Sequence, residues 1–395
     1  MIDNPYRTAP GSEPPAMVGR EQETSLAYYA TGLTSQGGAS TPIVFTGRRG
    51  MGKTALLRRC VAEAKKMGGV VLSAEASTTT SLPTLMRRSL ETSKREFASL
   101  PDRIKGTIDA AIQAMPEATF ELPEQMGGVK LKAHEHVKDH ERFRDVIEDL
   151  NAAVRKKGRF LVFAIDEIQI THPESMQVLI EVIHQSAGTN QPILLMGAGL
   201  TNSASHLQDI RTYTERWRYA SIDLLTREQT IEAIQKPAKA LGVTFDARAL
   251  AMLVEETSGY PFFVQEYASA SWIAHKGARV TVEDVERIAP GVRKGLELGY
   301  YDRSFRTLSP RELRYVMTLA EIGPGPASVG EIAAKLGMRT IDASSTRNRL
   351  VTKDVLSVPW SGVVEFRMPL AEKYIERHLT EFQQRIERSG PSISL

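Results

Sequence analysis

Four short apolar runs punctuate the first half of the chain: "PIVFT" at Pro42–Thr46, "GGVVLSAE" at Gly68–Glu75, "RFLVFAID" at Arg159–Asp166 and "PILLMGAG" at Pro192–Gly199. Three of them are continuously apolar rather than alternating, the pattern of strands buried on both faces of a parallel sheet. Apolar residues at helical spacing fill the intervals at Thr54–Lys66, Leu82–Ala98, Arg142–Lys157 and Glu174–Ser186. Alternating strand and helix predicts an α/β layered fold with right-handed crossovers.

Residues 101–139 break this rhythm and read as an insertion. Within it, "ATFELPEQMGGVKLKAH" predicts two short strands around a Gly-Gly turn, or a mobile loop. His134, His136 and His140 fall here. Only His136 and His140 share an i, i+4 spacing and no cysteine accompanies them, so a solvated polar segment is expected rather than a metal site.

After Leu225 the pattern turns wholly helical: Arg227–Leu241, Ala247–Ser258, Pro261–His275 and Val282–Glu297, with Pro290 bending or ending the last. A further unit starts near Leu308. Pro310–Ala320 is helical, with Ser309 as N-cap and Glu312 at the capping-box position. "ASVGEIAAKLGM" gives a second helix capped by Ser328 and closed by Gly337, and "TIDASSTRNRLVTKD" a third. "VLSVPWSGVVEFRMP" gives a hairpin turning at Trp360, Ser361 and Gly362, and Leu370–Arg388 a last helix. Three helices, a hairpin and a helix are the order of a winged helix-turn-helix. The expected organisation is an extended, poorly ordered arm over 1–17, an α/β parallel-sheet domain over 18–225, an all-helical lid over 226–300, a winged helix over 301–388 and a tail over 389–395.

Composition narrows the picture. A chain of 395 residues accommodates two or three domains, each with its own core. A net charge of +3 is too small by itself to imply nucleic acid, so any basic surface must be local. The single cysteine, Cys60, excludes an intrachain disulfide framework and fits a reducing cytoplasm. No run of 18 apolar residues occurs, so no membrane-spanning helix is expected. The first residues lack an apolar h-region and do not read as a signal peptide.

The chemistry starts at "VFTGRRGMGKTALL". Gly47 to Thr54 fits G-x-x-x-x-G-K-[ST], with a strand before it and a helix after, the setting of a phosphate-binding P-loop. Gly47 and Gly50 let successive N–H groups turn toward one anion, and Gly52 lets the backbone approach phosphate. Met51 and Ala55, within and just after this motif, are expected to contact the nucleotide as well. The helix N-terminus near Lys53 adds partial positive charge. Lys53 is expected to bridge the β- and γ-phosphates of ATP, and Thr54 to ligate Mg2+. A magnesium nucleotide also needs an acid at the end of a neighbouring strand. Asp166 closes the apolar run of "FLVFAIDEIQ" and supplies it, and Glu167 is placed to orient and polarise the attacking water. Arg48 and Arg49 take no role in this reading.

With these motifs the chain resembles ATPases of the AAA+ and STAND type, similar to origin-recognition-initiator-like and archaeal-type ATPases with a C-terminal winged helix. "MVGREQE" at Met17–Glu23 looks like their N-terminal motif, which implies that Val18, Gly19 and Arg20 contact the adenine. "MGAGLTN" lies where these families sense the γ-phosphate, implying Thr201 or Asn202. "TYTERWRYASIDLL" resembles the segment that delivers an arginine to a neighbouring subunit, implying Arg216, with Arg218 as rival, and a homo-oligomer in the ATP-bound state. Initiator-like relatives carry a sensor arginine in the lid. Here Gly259-Tyr260-Pro261 stands in its place, the GxP pattern of the STAND group, which implies that Pro261 contacts the nucleotide and leaves rapid turnover in doubt.

The expected whole is a P-loop NTPase domain, a helical lid and a winged helix, binding and hydrolysing ATP and moving the winged helix with nucleotide state. Two outputs fit. In one, the third winged-helix helix binds double-stranded DNA, with Arg339, Arg347, Arg349 and Lys353 as contacts, supported by Ser344, Ser345, Thr346, Asn348 and Arg367. In the other, a signalling or defence switch uses the winged helix to dock protein, through a partner the sequence does not name. A scaffold stabilised by nucleotide without turnover is the remaining alternative. No nuclease, protease or other effector signature is visible.

Overall fold

The four buried runs pair in parallel in the computed structural model, which describes residues 3–9, 11–92, 102–114, 129–189 and 192–388. Two compact units emerge. A sheet unit comprises Arg20–Gly47 and Lys53–Ile222. A C-terminal unit comprises the arm up to Gly19, the short segment Arg48–Gly52 and the chain from Asp223 onward.

The sheet unit runs α1 (Glu21–Ser35), β1 (Ile43–Thr46), α2 (Lys53–Lys66), β2 (Gly69–Glu75), α3 (Leu82–Thr92), α4 (Asp102–Ala114), α5 (Val129–Arg155), β3 (Phe160–Asp166), α6 (Pro173–Ala187), β4 (Leu194–Gly199), α7 (Ser203–Ile210) and β5 (Arg218–Ser221). The strands form one sheet in the order β2-β3-β4-β1-β5, all parallel. Every residue of β1 and β4 is buried, and so are the first six of β3. That explains the unbroken apolar runs, because helices cover both faces. Leu161, Phe163 and Ile165 point into a core shared with Phe143, Ile147, Leu150 and Leu179. β5 is an addition to the expected four strands. It lies at the sheet edge with half-exposed and exposed residues, so its sequence lacks the apolar run that revealed the others.

The insertion differs from expectation where it is described. Residues 102–114 are helix, and residues 129–134, expected in strands or a loop, open the 27-residue α5. Val129, Leu131 and Ala133 alternate like a strand. The chain then meets Phe143, Val146, Ile147, Leu150 and Val154, all buried at helical spacing, and helix propagates from that packed segment because extending a formed helix is easier than starting one. His134, His136 and His140 lie along α5. Residues 93–101 and 118–128, the remainder of the predicted α3 and hairpin, fall outside the described residues.

The C-terminal unit runs α8 (Arg227–Ala240), β6 (Thr244–Phe245), α9 (Ala247–Thr257), α10 (Pro261–Ala274), β7 (Arg279–Val280), α11 (Val282–Glu297), α12 (Arg303–Arg306), α13 (Pro310–Ile322), β8 (Ala327–Ser328), α14 (Val329–Lys335), α15 (Thr340–Thr352), β9 (Leu356–Ser357), β10 (Val363–Phe366), α16 (Ala371–Arg377) and α17 (Leu379–Arg388). Two details depart from the helical reading of its first part. β6 and β7 make a two-residue parallel pair, and α11 passes through Pro290 without ending there.

From α13 onward the expected order of three helices and a hairpin is observed. Ser309 and Glu312 close a capping box at α13, and Ser328 caps α14 by accepting from Glu331 N at 3.1 Å. β10 pairs antiparallel with both β8 and β9. Leu313, Val316, Ile332, Leu350, Val364 and Phe366 share one core, with Phe305 stacked on Phe382 at 5.9 Å.

The arm is held more firmly than its composition suggests. Tyr6 is buried, donates to Ile234 O at 2.5 Å and meets Trp272 edge-on. Asn4 bonds to Ser269 and Arg7 N to Gln265. Among the described residues, no helix is long and apolar enough to cross a membrane, and no group of three or more His, Cys, Asp or Glu could hold a metal ion.

Candidate functional site

β1 ends at Thr46, and after six intervening residues α2 starts at Lys53. The turn between them needs backbone that side chains resist: Gly50 has φ +78° and Gly52 φ +85°, left-handed conformations in which a Cβ costs on the order of 1 kcal/mol or more. No acidic residue occupies the first turn of α2, while Lys65 and Lys66 lie in its last. The helix therefore presents an uncompensated positive end at Lys53 and a compensated negative end far from it. Lys53 is 7% exposed and Ala55 is buried, while Thr54 is half-buried. An ammonium kept so far from water suits a polyanion partner.

The acids come from the same sheet unit. β4 lies between β3 and β1, and because all three are parallel their carboxyl ends share one edge. Thr46 is level with Gly199, and Ile165 with Gly197, so Asp166 emerges at the edge where α2 begins. Open parallel sheets bind ligands at that edge. Asp166 Oδ1 accepts from Glu167 N at 3.0 Å. Glu167 sits in the left-handed region at φ 51°, and its Oε2 accepts from Gln169 Nε2 at 2.5 Å. Gln169 Oε1 in turn accepts from Leu200 N at 3.0 Å and from Ser203 Oγ at 3.4 Å. Sequence reasoning passed over Gln169. The signal was its place two residues after the acid pair.

Asn202 lies at the start of α7, and its side chain does not cap that helix. Its Oδ1 is buried without a hydrogen-bond partner among the described residues. Thr201 is half-buried beside it. Arg216 lies in a short 3-10 turn and Arg218 opens β5. Both are exposed, so the structure does not choose between them. Arg20 precedes α1 and is 6% exposed.

The remaining nucleotide candidates lie in the C-terminal unit. Val18 and Met51 are buried. Gly19 has φ +69°, and a Cβ there would lie 2.7 to 2.9 Å from the amide of Gln229, which would have to shift. Pro261 occupies the first turn of α10, and the next residue, Phe262, donates its N–H to Gly50 O at 3.2 Å. Arg48, unassigned from sequence, has defined partners. Its Nε donates to Glu365 Oε2 at 3.0 Å, its Nη2 to Pro324 O at 2.7 Å and its Nη1 to Tyr260 OH at 3.5 Å. Burial disfavours the charge on Arg48, yet Tyr260 and Glu365 outweigh it and raise the guanidinium pKa. Burial also raises the Tyr260 phenol, against the pull of Arg48.

The proposed DNA contacts divide. Arg349 is exposed on α15 and Arg347 half-exposed, with Arg347 bonded to its neighbour Asn348. Arg339 is exposed and paired with Asp342 at 2.8 Å. Lys353 is committed elsewhere: it donates to Glu312 at 2.7 Å and to Thr307 O at 3.1 Å, and Glu312 is 2% exposed. It neutralises a buried carboxylate. Thr346, expected among the polar contacts, is fully buried with Leu350 and donates to Asp342 O. Arg367 is bonded to Asp354.

A five-stranded parallel sheet with α2 starting, and the acid pair at the end of β3, at one edge is the fold of a P-loop NTPase domain. Sequence comparison agrees: residues 16–196 match the AAA ATPase domain family, and residues 298–375 match a domain family of unknown function, DUF8462. Among solved structures, the fold is similar to a Walker-type ATPase of Pyrococcus abyssi, at 12% identity and TM-score 0.58, covering 94% of this chain and 99% of that one. Weaker likenesses include Cdc6p of Pyrobaculum aerophilum, at 14% identity and TM-score 0.48 over 95% and 97% of the two chains, and the RuvB Holliday junction branch migration motor of Thermotoga maritima, at 17% identity and TM-score 0.44 over 91% and 95%. No curated protein sequence matches the chain. An AAA ATPase domain implies a nucleotide, typically with Mg2+. The residues present fit one, in the acid-free first turn of α2, the buried Lys53 and the unpartnered Asn202 oxygen.

Proposed function

We propose that this protein is a cytoplasmic ATP-hydrolysing molecular switch of the AAA+/STAND type whose nucleotide state controls a winged-helix domain, and that this domain acts on double-stranded DNA, in replication, transposition or transcription control. One observation carries the reading: Lys53, Thr54, Asp166 and Glu167 all derive from the carboxyl edge of one sheet.

In this reading Lys53 neutralises the β- and γ-phosphates and the N–H groups of the glycine-bent loop hold them. Mg2+, when bound, screens phosphate charge, with Thr54 and Asp166 as its protein-side holders. Val18, Gly19, Arg20 and Pro261 bind the base and sugar end. Glu167 accepts a proton from water as the water oxygen bonds to the γ-phosphorus and the bond to the β-bridging oxygen breaks, leaving ADP and phosphate. Asn202 reports the γ-phosphate. Arg216 of a neighbouring copy stabilises charge in the transition state.

Two measurements test this. Glu167→Gln keeps ATP binding and loses turnover by about a hundredfold or more; unchanged turnover overturns the assignment of the base. Duplex DNA binding, measured with and without ATP across a salt series, falls steeply as salt rises; no salt-sensitive binding in either state overturns the DNA reading. The second reading, a signalling or defence switch that docks protein, is favoured by one specific observation. Lys353 and Arg367 of the winged-helix region are already engaged in ion pairs, which reduces the basic surface left for phosphates.

A further inference from the structure

Gln169 is 9% exposed and has both ends of its amide engaged, by Glu167 on one side and by the Leu200–Ser203 turn on the other. Chemistry fixes which way the amide points. The N–H of Leu200 can only donate, so the amide oxygen faces it, and the NH2 group is left to donate to the Glu167 carboxylate. The fit is tight. A Cβ at Gly199 would lie 2.4 Å from Gln169 Oε1 and 2.2 Å from Ser203 Oγ, so only glycine at the end of β4 leaves room for this amide. Glu167 holds a left-handed backbone conformation at φ 51°, which costs a non-glycine residue about 1–2 kcal/mol. A charge-assisted hydrogen bond is strong enough to offset that cost.

The consequence is a mechanical link. The turn that Gln169 holds through Leu200 and Ser203 contains Asn202, whose Oδ1 is buried without a partner among the described residues. With Oε2 of Glu167 occupied by the amide, Oε1 is the oxygen left to face water.

We propose that Gln169 is a positioning residue for ATP hydrolysis: it fixes the Glu167 carboxylate with one oxygen free for the attacking water, and couples that pose to the Asn202 turn, so that contact with the γ-phosphate and readiness of the base are set together. This inference rests on the reading of Glu167 as the base.

Gln169→Glu and Gln169→Met test it. Gln169→Met removes both bonds at similar volume. It lowers kcat about tenfold or more, with KM and the Kd for a fluorescent ATP analogue unchanged within twofold. Gln169→Glu keeps the oxygen that accepts from Leu200 and places a second carboxyl against Glu167. A carboxylate there cannot donate to Glu167 as the amide NH2 does, so the turn stays braced while the base loses its partner. Turnover in this variant therefore falls tenfold or more as well, with KM and the Kd for the ATP analogue within twofold of wild type. Thermal midpoints verify folding of both variants. A role confined to bracing the turn leaves Gln169→Glu with wild-type kcat, and that result overturns the inference, as does wild-type kcat in Gln169→Met. Loss of turnover in Glu167→Gln with both Gln169 variants unaffected overturns this inference alone; full turnover in Glu167→Gln, or none in the wild type, overturns it together with the reading it rests on.

Discussion

Arg48 donates through Nε to Glu365 Oε2 at 3.0 Å across 317 residues of sequence. One partner stands in the turn between β1 and α2 and the other on β10, and the two are 18% and 3% exposed. A buried pair of this kind is a weak source of net stability but costly to break from one side, because the surviving charge is stranded. Arg48 keeps Pro324 O and Tyr260 OH as partners, which limits the loss. Glu365→Gln is expected to cost about 2 kcal/mol in urea unfolding. Arg48→Met combined with Glu365→Leu is expected to recover most of it. Additive losses in the double variant would show that the pair is not coupled.

Glu312 ties stability to pH. Burial opposes its ionisation, but the Lys353 ammonium and the N–H and hydroxyl of Ser309 outweigh burial and hold the carboxyl below the usual range. A depressed folded pKa stabilises above the unfolded value, and that stability is lost as pH falls through the folded pKa. Glu312→Gln should therefore cost about 1–2 kcal/mol at pH 7, and the gap to wild type should shrink as urea midpoints are followed down through the acidic range. A gap independent of pH would mean that the lost interaction is packing rather than charge.

Cys60 is buried on α2, and burial pushes its thiol up to about 12, more than the nearby Arg59 charge can offset. Thiolates react and thiols do not. Native protein at pH 8 should resist alkylation for as long as it stays folded, and label at the rate of a free thiol once urea unfolds it. Rapid labelling of native protein would show local opening of α2.

Arg216 carries the proposed action between subunits. It is exposed, as a residue offered to a neighbour must be. Arg216→Ala should lower turnover by on the order of a thousandfold. Mixing it with Lys53→Ala subunits should restore activity that neither has alone, since each supplies what the other lacks. No recovery on mixing would assign the arginine's role to its own subunit or to Arg218.

Local signals were legible in the sequence. The tight turn between β1 and α2, the end of β3 at Asp166, the Ser309 and Ser328 caps and four of the five sheet strands depend on residues that are neighbours along the chain. The strands were visible because burial on both faces demands unbroken apolar runs. β5 was not, because an edge strand with one neighbour makes no such demand. Val129–Ala133 misled for a related reason: a short alternating segment takes the structure of the longer helix it joins.

The sequence by itself determined that a tight glycine-bent turn would sit between β1 and α2, since glycine at fixed spacing permits the left-handed backbone that such a turn needs. Only the tertiary structure decided which residues surround it. Gln169 meets Leu200 because β3 and β4 are adjacent, with Ile165 level with Gly197. Arg48 meets Glu365 because residues 48–52 pack with the C-terminal unit. Lys353 serves Glu312 because α13 and α15 share one core. Each pairing depends on register and packing between distant segments, and that information is spread over the whole core rather than written in any one stretch of the chain.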